Sequence, residues 1–218
     1  MELSKYQVKT GAWIFVAYAV LCITVSAVER RWLPVGMIWN LFLAILPLVF
    51  SQILLRDKSK KPWRKILWFF LWLILFPNAL YFVTDFIHLP SFHVNYNIQG
   101  NYQPNIEFYQ RLIVIATGFI FATFAAIRSL YDVHKIILKS KFAKFSPLFL
   151  IAIFSLTGLG IYLGRFLRFN SWDIVRPWSI ITQFFNRISL NGLIFIALIT
   201  IFSAFIYLSF YYFYKKRK

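Results

Sequence analysis

Residues 76–89, Phe-Pro-Asn-Ala-Leu-Tyr-Phe-Val-Thr-Asp-Phe-Ile-His-Leu, add a proline, an amide, a carboxylate and an imidazole to a strongly apolar segment. Read as an α-helix, the segment carries its polar residues three, four and three positions apart, which predicts a stripe on one face made of Asn78, Tyr81, Asp85 and His88. An ionisable side chain in the middle of a bilayer costs about 2.5 to 3.5 kcal/mol or more. Such a stripe therefore needs partners or a function, and the rest of the chain must supply them.

The composition is that of an integral membrane protein. Of the 218 residues, 60% are hydrophobic, 21% are aromatic and only 14% are charged. Several apolar stretches exceed the roughly 18 residues that mark a membrane-spanning helix. We predict an all-α, polytopic helical protein that forms a single domain over residues 1–218, with about six spans at approximately 11–28, 32–55, 66–88, 108–131, 147–166 and 190–214.

The net charge of +17 lies mainly in the short connections between apolar segments. This is the positive-inside pattern of a membrane protein, so we expect no nucleic-acid partner. Six spans put both termini on one side, and 17 of the 24 lysines and arginines fall on that side. We predict cytoplasmic termini, which makes every outward basic residue an arginine.

Two features limit other possibilities. The single cysteine, Cys22, lies in the first apolar segment, which excludes a disulfide framework or a Cys-based metal site within one chain. Lys5 and Lys9 precede that segment, but no small-residue cleavage pattern follows it. We interpret the segment as a retained first span and not as a signal peptide.

The last outward connection carries a predicted interfacial helix. Apolar residues there follow a four, three, four, three spacing: Ile174, Trp178, Ile181, Phe185 and Ile188. This spacing is typical of an amphipathic helix in the membrane interface, which Pro177 restricts to its later part. In the preceding span, Gly158, Gly160 and Gly164 are small enough to let another helix approach closely.

The predicted topology gathers ionisable residues on the outward side. Four arginines in the fifth connection oppose the positive-inside tendency, and arginine suits bidentate recognition of carboxylate or phosphate. Asp85 and His88 are the candidate catalytic residues, either as an acid/base pair or as two metal ligands, with Asp173 or Glu107 as a third. The candidate ligand-binding residues are Asn78, Tyr81, Arg111, Arg165, Arg168, Asn170 and Asp173.

Metal and cofactor use stay open at this point. One carboxylate three residues from one histidine recurs by chance, and no second His-rich motif supports a metal site. His93 lies in the long polar loop and His134 lies on the cytoplasmic side, so neither is an obvious ligand.

Three functions compete for these residues. The outward arginines favour binding of an anionic lipid head group or of a lipid-linked envelope precursor, with the bilayer itself as the other partner. Alternatively, the chain is a transporter or permease subunit that uses Asp85 and forms a homo-oligomer. In the third reading, Asp85 bonds Arg165 or Arg168 only to join two spans of a noncatalytic scaffold protein.

Three motifs resemble the bacterial membrane-protein family known as domain of unknown function 1361. They are residues 76–89, residues 164–173 (Gly-Arg-Phe-Leu-Arg-Phe-Asn-Ser-Trp-Asp) and residues 39–48 (Trp-Asn-Leu-Phe-Leu-Ala-Ile-Leu-Pro-Leu). The agreeing positions are Thr84, Asp85, His88, Arg165, Arg168, Asn170, Trp172 and Asp173. A second proline often stands in the family where this chain has Leu80, which predicts a less distorted helix here. The resemblance implies a multi-pass protein of the bacterial inner membrane and supplies no activity.

Overall fold

A computed structural model describes residues 3–89, 95–96, 102–103 and 105–215. Within these residues the chain forms seven α-helices: α1 (Lys5–Glu29), α2 (Leu33–Arg56), α3 (Pro62–Leu80), α4 (Ile106–Leu138), α5 (Ser146–Arg165), α6 (Pro177–Arg187) and α7 (Leu190–Lys215). The 3₁₀ segments are Tyr81–His88, Ala143–Phe145 and Ser171–Val175, and strands β1 (Asn95–Tyr96) and β2 (Tyr102–Gln103) pair antiparallel. His93 lies outside the described residues.

The predicted helical membrane fold is confirmed. In the described part of the chain, six helices are long and apolar enough to cross a bilayer, and α6 is the short helix between the last two. Alternation of the spans brings the N-terminus of α1 and the C-terminus of α7 to the same end of the bundle, which we name the terminal end. We name the opposite end, where α5 stops and α6 lies, the cluster end.

Helix α4 is the centre of the bundle. It packs against α1, α2, α3 and the 3₁₀ segment Tyr81–His88. It also contributes to both hydrophobic cores, through Val114 and Ala122 in the core with α1 and α2 and through Ala126 and Leu130 in the core with α3, α5 and α7. One long helix therefore joins the two hydrophobic cores of the bundle.

The sequence predicted that the third span is one α-helix, and this is wrong for its second part. It is α-helical to Leu80 and 3₁₀ from Tyr81 to His88. Pro77 lacks the backbone donor for the preceding turn. Beyond it, the Thr84 hydroxyl donates to the Tyr81 carbonyl (2.8 Å) and Arg165 donates to the Thr84 carbonyl. Side chains thus satisfy backbone acceptors that a continuing α-helix would use. The helix is therefore irregular here even though this chain has Leu80 where the family often has a proline.

The three late glycines of α5 permit close contacts, as predicted. A Cβ at Gly158 would lie 2.5 Å from the Ile196 carbonyl oxygen of α7, and one at Gly160 would lie 2.6 Å from Cγ of Pro77. One at Gly164 would lie 3.3 Å from the Tyr81 ring. Alanine at Gly158 or Gly160 would force α5 away from its neighbours.

The fourth span, predicted at 108–131, continues as a helix beyond its predicted end. Helix α4 extends to Leu138, and Asp132 and His134 are buried within it. Gln52 donates to Asp132 (2.6 Å), and the His134 ring bonds Tyr207 (2.7 Å) and Ser146 (2.6 Å). These partners from other helices allow polar residues to stay inside the bundle.

Candidate functional site

Arg165, the last residue of α5, contacts four residues of the 3₁₀ segment. Its guanidinium lies 3.3 Å from Oδ1 of Asp85, donates to the Thr84 carbonyl, and approaches Nε2 of His88 at 3.5 Å. It also lies over the Tyr81 ring, 5.4 Å from the centroid. Because a guanidinium has only donors, Nε2 of His88 must be the acceptor. Three of the four residues of the predicted stripe, Tyr81, Asp85 and His88, therefore converge on one arginine, whereas the fourth, Asn78, bonds Ser171.

Asp85 is enclosed by partners. Its side chain is 1% exposed, and its second oxygen accepts a hydrogen bond from Nδ2 of Asn40 in α2 (2.9 Å). Both carboxylate oxygens are thus engaged, by α2 on one side and by α5 on the other. We name Asn40, Tyr81, Thr84, Asp85, His88 and Arg165 the Arg165 cluster. It ties three membrane segments together at the cluster end, as intramembrane charges commonly do.

Arg111 lies in a separate group of charges. Its guanidinium bonds Glu29 at the end of α1 (3.0 Å) and Glu107 one turn earlier in α4 (2.6 Å), and it approaches the His88 carbonyl at 3.5 Å. The Arg111 and Glu29 side chains are only 8% and 4% exposed. Glu29 sits at a helix C-terminus, where the helix dipole disfavours a carboxylate unless a cation accompanies it. Arg111 is that cation.

Two of the candidate ligand-binding residues form a local turn. The backbone N–H of Asn170 donates to Oδ2 of Asp173 (2.6 Å), and the Asn170 side chain accepts from the Asp173 backbone, which caps the 3₁₀ segment Ser171–Val175. The Asp173 carboxylate is thus bonded within its own turn. Asn78 reaches the same turn from α3, with Nδ2 donating to Oγ of Ser171 (2.9 Å).

A groove of about 740 Å³ lies beside the Arg165 cluster. Helix α3 packs against both α2 and α5, and one face of each of the three helices lines the groove. The wall toward the bilayer centre is apolar and includes Leu43, Leu46, Leu73, Ile74, Leu159 and Leu163. The end nearest the cluster carries the polar lining residues, together with apolar ones of the same connection such as Phe169 and Ile174. The polar residues are Asn40, Asn78, Tyr81, Arg168, Asn170 and Ser171.

Arg168 differs from the other two arginines of the predicted site. It lines the groove, and its guanidinium makes no ion pair or hydrogen bond with the residues that the structure describes. Its backbone has φ 59°, a left-handed conformation that costs a non-glycine residue about 1 to 2 kcal/mol. Arg168 thus places an exposed side chain at the mouth of the groove, in a backbone conformation that few non-glycine residues adopt.

The groove also faces the lipid. Three residues on its rim, Phe42, Phe70 and Leu156, are 43%, 49% and 43% exposed. They lie on spans that cross the bilayer, so their exposed surface faces hydrocarbon. The groove is therefore open along the apolar wall, on the side where these spans are exposed.

The structure brings part of the predicted site together. Asn78, Tyr81, Arg168 and Asn170 line the groove, and Arg165, Asp85 and His88 lie behind it in the Arg165 cluster. Arg111 and Asp173 bond elsewhere. Asn40, which lines the groove and also bonds Asp85, was missed as a site residue. An amide within an apolar span was its signal, the same signal that drew attention to Asn78.

The described residues contain no group of three His, Cys, Asp or Glu that could hold a metal ion.

A family model described as "Protein of unknown function (DUF1361)" matches residues 39–206, which include the groove and the Arg165 cluster. No curated protein and no solved structure matches the chain.

Proposed function

Because this chain belongs to the DUF1361 family, whose description names no activity, we propose a function from the geometry: this integral membrane protein binds an anionic lipid in the groove. The head group contacts Arg168, and an acyl or prenyl chain lies along the apolar wall. The observation that carries the proposal is the continuity between that wall and a polar end where the Arg168 guanidinium has no partner among the described residues.

The size of the groove fits part of a lipid chain. The stretch of α3 from Phe70 to Pro77 that lines it rises about 10 Å at 1.5 Å per residue. That is about a third of the roughly 30 Å hydrocarbon thickness of a bilayer. A lipid chain that enters between α2 and α5 would stay in apolar surroundings while the phosphate of the lipid reached Arg168. The hydrocarbon would then avoid water, and the charged phosphate would avoid burial without a partner.

The Arg165 cluster has a different role in this proposal. Asp85 is buried and paired on both oxygens, which supports a structural function for Asp85 and Arg165 behind the binding surface. The catalytic role predicted for Asp85 and His88 stays a prediction, and it requires that a substrate reach a carboxylate that does not line the groove. Transport through Asp85 requires the same access. Proton or substrate flux in proteoliposomes that depends on Asp85 would favour transport over lipid binding alone.

The proposal includes an orientation. We propose that the terminal end faces the cytoplasm of a bacterial inner membrane, since the basic connections lie there. Single cysteines at Lys60 and at Ser179, in a Cys22→Ala background, would report this by labelling in intact cells with an impermeant maleimide. We expect labelling at Ser179 and not at Lys60, and the reverse pattern would overturn the orientation.

Native mass spectrometry of the purified protein with phosphatidylglycerol tests the binding proposal. We expect Arg168→Gln to weaken binding about 10- to 100-fold, because a hydrogen bond to a charged group contributes about 1.5 to 3 kcal/mol. Leu159→Trp should weaken it too by filling the apolar wall. Arg176→Gln is the matched control, an exposed arginine of the same connection that does not line the groove. Equal affinity in all variants would refute the proposal.

A further inference from the structure

We infer that the head group bound in the groove carries hydroxyls, as in a glycerol or sugar phosphodiester. This inference rests on the proposed function and narrows the ligand from anionic lipids in general to one chemical class. It comes from the polar residues that surround Arg168 and from the residue types that are missing there.

The first argument is the hydrogen-bonding capacity of the polar end. Asn40 and Asn78 each use one described hydrogen bond, both through Nδ2. An asparagine side chain offers two donors and a carbonyl acceptor, so each retains an acceptor and a donor. Ser171 accepts from Asn78 and keeps its hydroxyl proton to donate. This mixture of neutral donors and acceptors matches hydroxyl groups, which also donate and accept.

The second argument is charge. Among the described residues that line the groove there is no Asp or Glu, and Arg168 is the ionised group. A head group with an ammonium, such as ethanolamine, would bury its positive charge beside an arginine without a carboxylate to pair with. A phosphodiester with an uncharged polar substituent avoids this cost, because Arg168 pairs with the phosphate and the amides hydrogen-bond the substituent.

The third argument is the arrangement of these residues. Asn78 of α3 and Ser171 of the turn after Arg168 bond each other, and both line the groove. Trp172, 56% exposed, lines the groove next to them and offers an apolar ring to the C–H face of a glycerol or sugar. The phosphate position at Arg168 is therefore flanked on the chain side by the apolar wall and on the other side by amides, a hydroxyl and an aromatic ring.

The test compares lipids of one acyl composition whose head groups differ. Phosphatidylglycerol and phosphatidylinositol carry hydroxyls and a single negative charge. Phosphatidylmethanol has the same charge without hydroxyls, and phosphatidylethanolamine is zwitterionic. Native mass spectrometry on the full chain measures the affinities. We expect phosphatidylglycerol or phosphatidylinositol to bind at least about tenfold more tightly than the other two lipids, which corresponds to about 1.4 kcal/mol of binding free energy.

Two substitutions separate recognition from folding. Asn78→Ala and Ser171→Ala should reduce the preference for the hydroxyl-bearing lipids over phosphatidylmethanol to near equality, with most of the lost affinity falling on the hydroxyl-bearing lipids. A loss of affinity for every lipid would mean that both residues only shape the groove, which would overturn the inference. Glycerol 1-phosphate, which lacks a chain, should compete only weakly, whereas strong competition would indicate a site for a soluble phosphate.

The two proposals fail in different ways. If phosphatidylglycerol, phosphatidylinositol and phosphatidylmethanol bind equally and all depend on Arg168, the hydroxyl preference is refuted and anionic-lipid binding stands. If no lipid depends on Arg168, both are refuted.

Discussion

The guanidinium of Arg165 lies 3.3 Å from the carboxylate of Asp85 and joins the end of α5 to the 3₁₀ segment of the third span. Asp85 is 1% exposed and Arg165 is 17% exposed, so the pair is shielded from water. The same guanidinium bonds the Thr84 carbonyl. Arg165 therefore fixes where the chain leaves α5, three residues before Arg168 enters the groove.

The first prediction concerns this pair. Asp85→Ala should lower the free energy of unfolding by about 3 to 5 kcal/mol, because it leaves a largely buried guanidinium without its counter-charge. Arg165→Ala should cost a similar amount. The double variant should cost less than the sum of the two, since neither charge remains unpaired. Denaturant unfolding in detergent micelles measures all three.

Asp173→Ala is the control for that cycle. Its carboxylate bonds within its own capping turn, so we expect a loss of about 1 kcal/mol. Strict additivity of the Asp85 and Arg165 substitutions would show that the two residues do not stabilise the fold as a pair.

Local sequence signals predicted the spans, the glycine contacts and α6. Apolar length is enough to identify a membrane helix, and a glycine at a helix contact needs no knowledge of its partner. The α6 helix begins at Pro177, where proline is favoured in a first turn, as the sequence suggested.

The features that the sequence did not predict depend on partners far along the chain. The 3₁₀ segment is stabilised by Arg165, about 80 residues away. Asp132 was left outside the predicted fourth span because its partner, Gln52, belongs to α2. Asn40 and Glu29 were not assigned to Asp85 and Arg111 for the same reason. Each is a polar residue whose position becomes favourable only when another helix supplies the bond.

The second prediction separates ligand binding from stability at Arg168. Arg168→Gly should raise the free energy of unfolding by up to about 1 kcal/mol, because glycine adopts the left-handed backbone at φ 59° without strain. The same variant should lose phosphatidylglycerol affinity as Arg168→Gln does. Thermal unfolding and native mass spectrometry on one preparation measure both. Arg176→Gly, at φ −120°, lacks the strain and is the control; a marked loss of stability on Arg168→Gly would mean that the arginine supports the fold.

The third prediction concerns the contact between α5 and α3. Gly160→Ala would place a Cβ 2.6 Å from Cγ of Pro77, which is closer than real Cβ contacts come. We expect a loss of about 1 to 3 kcal/mol from overpacking. Lipid binding should weaken too, because α5 is forced away from α3 and the groove that both helices line changes shape. Gly36→Ala in α2 meets no atom within 4 Å and should be neutral or stabilising, since alanine favours a helix. Equal effects of the two substitutions would contradict a close α3–α5 contact.

The fourth prediction uses the terminal end to test whether lipid binding belongs to the groove. The Tyr207 hydroxyl bonds Nδ1 of His134 (2.7 Å), and Tyr207 does not line the groove. Tyr207→Phe should lower the free energy of unfolding by about 0.5 to 1.5 kcal/mol through the lost bond and leave phosphatidylglycerol affinity unchanged. Tyr6→Phe, at a side chain 79% exposed, is the matched control and should change neither quantity. If Tyr207→Phe weakened lipid binding as strongly as Arg168→Gln, binding would depend on the stability of the whole bundle. The proposal that the groove is the binding site would then be refuted.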